Sequence, residues 1–393
     1  MVLTQKQEEG LKIAVDRHKA GERYTVISGY AGTGKSTLVK YIIAALDVDP
    51  YRVCYATFTG KAAEVLRKKG NKNAFTLHRL LYEHIPRPGG GFFRKVKPRI
   101  EYDIVVVDEV SMVPKEMIDL LFGHRCYVIC LGDPFQIPPI DKDTDNHLLD
   151  NPHIFLDEIM RQSEESEIIR LSMDIRERKP LQLFDGENVK VVDRKDCVSG
   201  MLTWADQIIT AKNNTRTIFN NQMRQILGRG PYPQDGDKVV CLRNYWEDLS
   251  MEGDALVNGT IGYLHLPQEK IITFPRFTKV SVSSIRALES DIYTDSGDFY
   301  PMVTIDENMI RTNQATLDWR DTYKLGRLRQ RIGDIIPREM AYGYAITGHK
   351  AQGSEWDKVL VYEENFPFNE EEHARWLYTC ITRASDKLVL VRQ

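Results

Sequence analysis

Four short apolar runs set the rhythm of the first part of the chain. "YTVISGY" (24–30), "YRVCYATF" (51–58), "YDIVVVDE" (102–109) and "CYVICLGD" (126–133) are almost continuous in apolar residues and run out into Gly, Thr or Asp. Strands buried on both faces of a parallel sheet read this way. Between them "KSTLVKYIIAAL" (35–46) and "GKAAEVLRKKG" (60–70) carry apolar residues at helical spacing. Strand and helix therefore alternate, which predicts an α/β fold with a doubly wound sheet and ligand-binding loops at the strand C-termini.

A second α/β stretch is less regular. It includes "TRTIFNNQMRQILG" (215–228) and "GDKVVCL" (236–242), resumes at "AYGYAITGHKAQGSEWDKVLVY" (341–362) and ends with "LYTCITRASDKLVLVRQ" (377–393). Residues 243–339 differ in texture. They are rich in Thr, Ser, Gly and Pro, with short alternating runs such as "ITFPRFTKVSVSSI" (272–285), and predict a small β-rich insertion. Within that span "DWRDTYKLGRLRQRIGDIIPRE" (318–339) is basic and reads as helical. No internal repeat or low-complexity tract interrupts the pattern.

Composition narrows the class. The chain has 393 residues, 42% of them hydrophobic and 28% charged, which suits a globular protein of several domains. No apolar run is long enough to span a bilayer, and the N-terminal "MVLTQKQEEG" lacks a signal-peptide core, so no membrane partner is expected. The six cysteines show no CxxC spacing, and a reduced, cytoplasmic protein is expected. A net charge of −3 neither announces nucleic-acid binding nor excludes a locally basic groove.

The chemistry begins at "GYAGTGKS", Gly29 to Ser36, which follows a strand and opens a helix. Backbone amides freed by its glycines can close around phosphate oxygens, with the helix N-terminus behind them. Lys35 is placed to reach the β- and γ-phosphates of ATP, and Ser36 to ligate Mg²⁺. "DIVVVDEVSM" ends a strand on Asp108 and Glu109. Asp108 can hold Mg²⁺, and Glu109 can orient or deprotonate the attacking water. In "LGDPFQIPP" Gln136 stands just past another strand end, where an amide can sense the γ-phosphate. Arg161 in "LDEIMRQ" and Arg383 in "LYTCITRAS" are the candidate cations for transition-state charge.

Taken in order, these motifs resemble the superfamily 1 helicases, in their 1B branch of the RecD and Dda type. "LTQKQ" looks like the Q-motif, "GYAGTGKST" motif I, "TFTGKAAEVL" motif Ia and "FTLHRLL" motif Ib. "VVVDEVSM" resembles motif II, "GDPFQIPP" motif III, "LDEIMRQ" motif IV, "AITGHKAQGSEWD" motif V and "LYTCITRA" motif VI. The likeness spans essentially the whole chain. Motif Ia departs from the usual pattern, with Phe58 where proline is common.

The resemblance implies two RecA-like motor domains. The first covers 1–81 and 102–158, with a pin insertion at 82–101. The second covers 159–242 and 340–393, with a β-rich, SH3-like domain inserted at 243–339. It implies that Gln7 reads adenine, that Gly29, Gly32, Thr33, Gly34, Lys35, Ser36 and Thr37 cradle ATP, and that Gly353 and Glu355 lie near it. Arg161 and Arg383 become arginine fingers. Phe58, Thr59, Lys61, Thr76, His78, Thr347, His349 and Lys350 become the single-stranded DNA track, although Phe58 is equally read as a buried strand-end residue. The implied activity is an ATP-dependent DNA helicase moving 5′ to 3′, acting at single-strand/duplex junctions in replication, repair or recombination. A working monomer and encounters with single-strand-binding or replisome proteins are expected. The alternative is a translocase or complex subunit without efficient unwinding.

"RPGGGFFRKVKPR" (87–99) is the remaining oddity: three glycines and two adjacent phenylalanines among basic residues with no acid. One reading packs a phenylalanine under a solvated loop. The other, favoured by its position between motifs Ib and II, makes Phe92 or Phe93 a wedge at the fork.

Overall fold

The computed structural model describes residues 3–86, 92–138, 145–160, 165–251, 253–273, 284–295, 297–312, 337–365 and 369–393. Its first unit opens on a helix, Gln5–Lys19, started by a reciprocal cap. The Thr4 hydroxyl accepts from Gln7 N–H, and the Gln7 side chain accepts from Thr4 N–H. Strands β1 (Tyr24–Gly29), β2 (Val53–Thr57) and β3 (Ala74–Thr76) follow. A hairpin of β4 (Tyr82–Pro86) and β5 (Phe92–Val96) comes next, then β6 (Ile104–Val107), β7 (Tyr127–Gly132) and β8 (Ile154–Leu156).

Six of these form a parallel sheet ordered β3-β2-β6-β7-β1-β8. Its strands are apolar throughout because both faces are covered. Helices Gln5–Lys19 and Lys35–Ala45 bury Ala14, Leu38 and Ile42 against Ile27, Ile104 and Ile129. Helices Leu77–Leu81 and Lys115–Phe122 bury Leu77, Leu81 and Leu121 against Val26, Val105 and Val128 on the other face.

The second unit holds β9 (Phe184–Asp185), β10 (Val189–Asp193) and β11 (Gln207–Thr210). Next come β12 (Lys238–Cys241), β13 (Tyr245–Leu249), β14 (Ala255–Leu256), β15 (Ile261–Thr273), β16 (Ser284–Thr294), β17 (Phe299–Asp306) and β18 (Met340–Tyr342). Strands β19 (Ala345–Thr347), β20 (Trp356–Tyr362) and β21 (Ala384–Arg392) complete it. A second sheet is ordered β19-β11-β20-β21-β10-β9 and is parallel except at β9.

The five-stranded sheet β17-β16-β15-β12-β18 is antiparallel. Its extent differs from the sequence expectation. Strands β12 and β18, read as parts of the second motor domain, belong to the inserted sheet, where β12 lies between β15 and β18. A run such as "KVVC" is equally apolar in either sheet, so periodicity cannot assign its partner. Leu264, Ile292 and Tyr342 share one core with Ile208, Leu360 and Val391, so the insertion packs directly onto the second motor unit.

The β4–β5 hairpin pairs Tyr82 with Val96 through Pro86 with Phe92, and its turn, 87–91, lies outside the described residues. So do residues 313–336, which take in most of the basic stretch expected to be helical. Among the described residues no helix is long and apolar enough to cross a membrane.

Candidate active site

The phosphate loop leaves β1 and enters the helix Lys35–Ala45 through Gly34, whose backbone is left-handed (φ 77°, ψ 29°). A side chain is excluded there twice over. A Cβ would be strained, and it would collide with Met160 Sδ and Gln7 Nε2, which would have to move. At Gly29 a Cβ would come within 2.7 Å of the Leu156 carbonyl oxygen. Lys35 Nζ folds back on the loop and donates to the carbonyls of Gly29 (2.6 Å) and Tyr30 (3.0 Å). Ser36 is exposed in the first helical turn. Gln7 is buried, and its amide is engaged at both ends, with Nε2 donating to Thr33 O at 3.1 Å and Oε1 serving the cap at Thr4.

The acid pair sits at the end of β6. Asp108 Oδ1 accepts the Glu109 N–H at 2.9 Å. Desolvation, then the neighbouring Glu109 carboxylate, pushes the Asp108 carboxyl up to about 6, while the Lys35 ammonium pulls the other way. Glu109 is itself left-handed (φ 51°, ψ 48°), a conformation costing about 1–2 kcal/mol for a residue with a Cβ. That backbone turns its carboxylate toward two partners: Gln136 Nε2 and Arg383 Nη1 each lie 3.4 Å from Glu109 Oε1. Both are long for hydrogen bonds. The other amide atom of Gln136, Oε1, is buried without a partner among the described residues.

Arg383 reaches this point from the second unit. It is buried, and Nε donates to Thr379 O at 3.0 Å while Nη1 also approaches Ser354 O at 3.4 Å. The structure therefore brings Lys35, Asp108, Glu109, Gln136 and Arg383 to one cleft. Arg161 lies outside the described residues. Gly353, with φ 69°, faces Thr59 and Met112 of the first unit, and Glu355 pairs with Lys69 at 2.8 Å, so both residues meet the first unit across the interface.

Ser36 and Asp108 offer hard oxygen donors of the kind Mg²⁺ takes beside phosphate and water. Among the described residues no group of three His, Cys, Asp or Glu side chains forms a self-sufficient metal cage, which leaves phosphate and water to complete such a site.

Sequence reasoning missed a second set of contacts, around the turn Asp133–Ile137. The helix Glu370–Ile381 of the second unit grips it. Thr379 Oγ1 accepts from Ile137 N–H at 2.9 Å, and Arg375 Nη1 donates to Pro134 O at 3.1 Å. Gln352 Nε2 donates to Ile137 O at 2.7 Å, and the Ile137 side chain is buried in the second unit's core. Tyr378 adds a bridge: its hydroxyl accepts from Ala31 N–H at 2.7 Å and donates to Asp133 Oδ2 at 2.6 Å. The partners are hundreds of residues apart, and no local spacing signals them.

The expected nucleic-acid residues are divided between surface and structure. Thr59 and Thr76 cap the helices Gly60–Lys68 and Leu77–Leu81, accepting from Ala62 and Arg79 N–H. Phe58 is partly buried against the first core, 5.7 Å from the His78 ring, and His78 is buried between Phe58 and Tyr82. Lys61 stands half-buried at the start of the helix Gly60–Lys68. Thr347 is buried at the head of the short helix Gly348–Ala351, which carries His349 and Lys350. Burial lowers the affinity of both His349 and Lys350 for protons, and Lys350 Nζ donates to Asn258 Oδ1 of the insertion at 2.9 Å. The side chains of Phe92 and Phe93 lie outside the described residues.

Residues 3–201 match the model of an AAA domain, and residues 342–391 match a UvrD-like helicase C-terminal domain. The chain is 28% identical to the ATP-dependent DNA helicase dda of Enterobacteria phage T4, covering 97% of each protein. It is 26% identical to the ATP-dependent RecD2 DNA helicase of Deinococcus radiodurans over 94% of this chain, which spans 47% of that relative's length. Crystal structures of Bacteroides Pif1, one bound to ssDNA and one with ADP-AlF3 and ssDNA, share the fold at TM-scores of 0.53 and 0.52. Both are 17% identical, with 99% of this chain and 92% of theirs aligned.

Proposed function

Because the chain belongs to the superfamily 1B helicases, we propose that it is an ATP-driven motor that moves 5′ to 3′ along single-stranded DNA and separates the strands at a duplex junction. The observation that carries this reading is the meeting of Arg383 from the second unit with Glu109 of the first, beside the phosphate loop. A cation that must come from the opposite unit makes hydrolysis conditional on how the two units sit. The reaction then acts on the geometry of the DNA track, whose parts are shared between the units.

Each chain group has a task in the cycle. The loop amides and Lys35 bind the triphosphate. Ser36 and Asp108 would hold Mg²⁺, which supplies charge neutralisation between the phosphates. Glu109 takes a proton from the attacking water, and Gln136 orients that water from its place on Glu109 Oε1. Arg383 and Arg161 stabilise charge on the transferred phosphoryl group. Gln7 reads the adenine by exchanging its contact with Thr33 for the base. Thr59, Thr76, Thr347 and Lys350 line the phosphate track, with Lys61, His349 and Phe58 beside them. The β4–β5 hairpin is the pin, and the antiparallel sheet is the SH3-like domain. The motor works as a monomer.

The test is DNA-stimulated ATP hydrolysis together with unwinding of duplexes carrying a 5′ or a 3′ tail. Stimulation with unwinding of the 5′-tailed substrate alone is expected. Unwinding from the 3′ tail would reverse the polarity. Stimulated hydrolysis without unwinding of either substrate would leave a translocase.

A further inference from the structure

Tyr378 stands on the second unit, yet both hydrogen bonds of its hydroxyl are made to the first. One goes to Ala31, inside the phosphate loop, and the other to Asp133, at the end of β7. The tyrosine is buried, with its ring edge-on to Phe135 at 5.2 Å. Asp133 is only 3% exposed. Its second oxygen accepts Phe135 N–H at 2.9 Å, and its carbonyl accepts Gln136 N–H at 3.4 Å. Asp133 therefore shapes the turn that presents Gln136 to Glu109.

We propose that Tyr378 is a positioning residue for ATP hydrolysis: one hydroxyl ties the phosphate loop, the Gln136 turn and the second unit together, so that Gln136 and Glu109 align only when all three are in place. The inference rests on the helicase reading above and adds to it a residue outside the phosphate-binding and charge-stabilising set. The proton order is fixed by the partners. Ala31 N–H can only donate and the Asp133 carboxylate can only accept, so the hydroxyl must accept from one and donate to the other. Burial and the Asp133 charge hold the phenol well above its ordinary pKa, which keeps that donor proton in place. A shift of the helix Glu370–Ile381 moves Tyr378, Thr379 and Arg375 together, and with them three anchors of the Asp133–Ile137 turn.

The test uses Tyr378→Phe in the full chain, which removes one oxygen and keeps the ring. Melting temperature, affinity for a fluorescent ADP analogue and DNA-stimulated kcat are measured side by side. Nucleotide affinity within about threefold of wild type and a kcat lower by about tenfold or more are expected, because the oxygen acts on alignment and not on phosphate binding.

Asp133→Asn gives an independent check. With its amide oxygen kept on Phe135 N–H, its NH2 replaces the oxygen that takes the Tyr378 proton, so that proton loses its acceptor while the Phe135 contact survives. The double variant should be no slower than the slower single, since residues acting as a unit are not additive. A wild-type kcat in Tyr378→Phe overturns the proposal. So does a double variant whose losses multiply, or a loss of kcat that only follows lower stability and weaker nucleotide binding. If the wild-type protein itself shows no DNA-stimulated hydrolysis, it is the helicase reading that fails.

Discussion

Glu109 concentrates the argument at the scale of single residues. Its left-handed backbone is unfavourable, and the return is a carboxylate aimed at Gln136 from its own unit and Arg383 from the other. Glu109→Gln preserves the shape and spares Asp108 but removes the proposed base. DNA-stimulated kcat should fall by about 10²–10⁴, with ATP and DNA binding retained, as steady-state kinetics and binding titrations would report. In the proposed finger role, which acts on transition-state charge, Arg383→Ala should bind ATP nearly as well and hydrolyse it slower by about 10³ or more. Loss of DNA affinity alone in that variant would contradict the role. These residues were legible from sequence because each is embedded in a contiguous motif at a strand or helix end. Tyr378 lies inside one of the same motifs, yet nothing in its neighbours tells that its hydroxyl meets Ala31 and Asp133. Gln7 was legible as a motif residue, but its part in capping the first helix shows only when Thr4 N–H is found on its amide.

Elements were legible where burial writes a period into the sequence. The parallel strands β1, β2, β6 and β7 fall where four apolar runs predict them, and the helix Lys35–Ala45 begins where its glycine and phosphate-loop signals place it. What an apolar run cannot carry is the identity of its neighbour, which is why β12 and β18 join a different sheet from the one expected. The β4–β5 hairpin is the element with a prediction of its own. Its strands pair in register from Tyr82 with Val96 to Pro86 with Phe92. In the proposed pin, an aromatic side chain would exchange a base-pair step for stacking worth about 1–3 kcal/mol per base. The double variant Phe92→Ala, Phe93→Ala should keep DNA-stimulated ATPase and displacement of streptavidin from single strands while losing duplex unwinding. Unwinding at the wild-type rate would return the pair to a packing role, as would a joint fall of ATPase and melting temperature.

Over the whole molecule, ion pairs join the units. Asp254 of the insertion, only 7% exposed, receives Arg79 at 3.2 Å and Arg67 at 3.6 Å from two helices of the first unit. Lys69 and Glu355 pair at 2.8 Å between the first unit and the second. The Asp254 contacts are distant in sequence from every nucleotide-binding motif, so they can set how far the insertion follows the first unit without touching hydrolysis. Asp254→Ala should leave DNA-stimulated kcat close to wild type and raise the number of ATP molecules spent per base pair unwound. An unchanged ratio, measured by parallel phosphate-release and strand-separation traces, would make the clasp a static support.

The pairing of β12 with β18 carries a topological consequence. Cys241 and Met340, the last residue of one strand and the first of the other, face each other in register, about 5 Å apart at their Cα atoms as antiparallel partners are. Everything between them is, topologically, the enlarged loop of a single hairpin, and a two-residue turn could close it. Joining Cys241 to Met340 by such a turn would leave the course of the remaining chain unchanged. Leu264 and Ile292, which lie between those two residues, share a core with Ile208 and Leu360, so removing the insertion would expose apolar surface on the second unit.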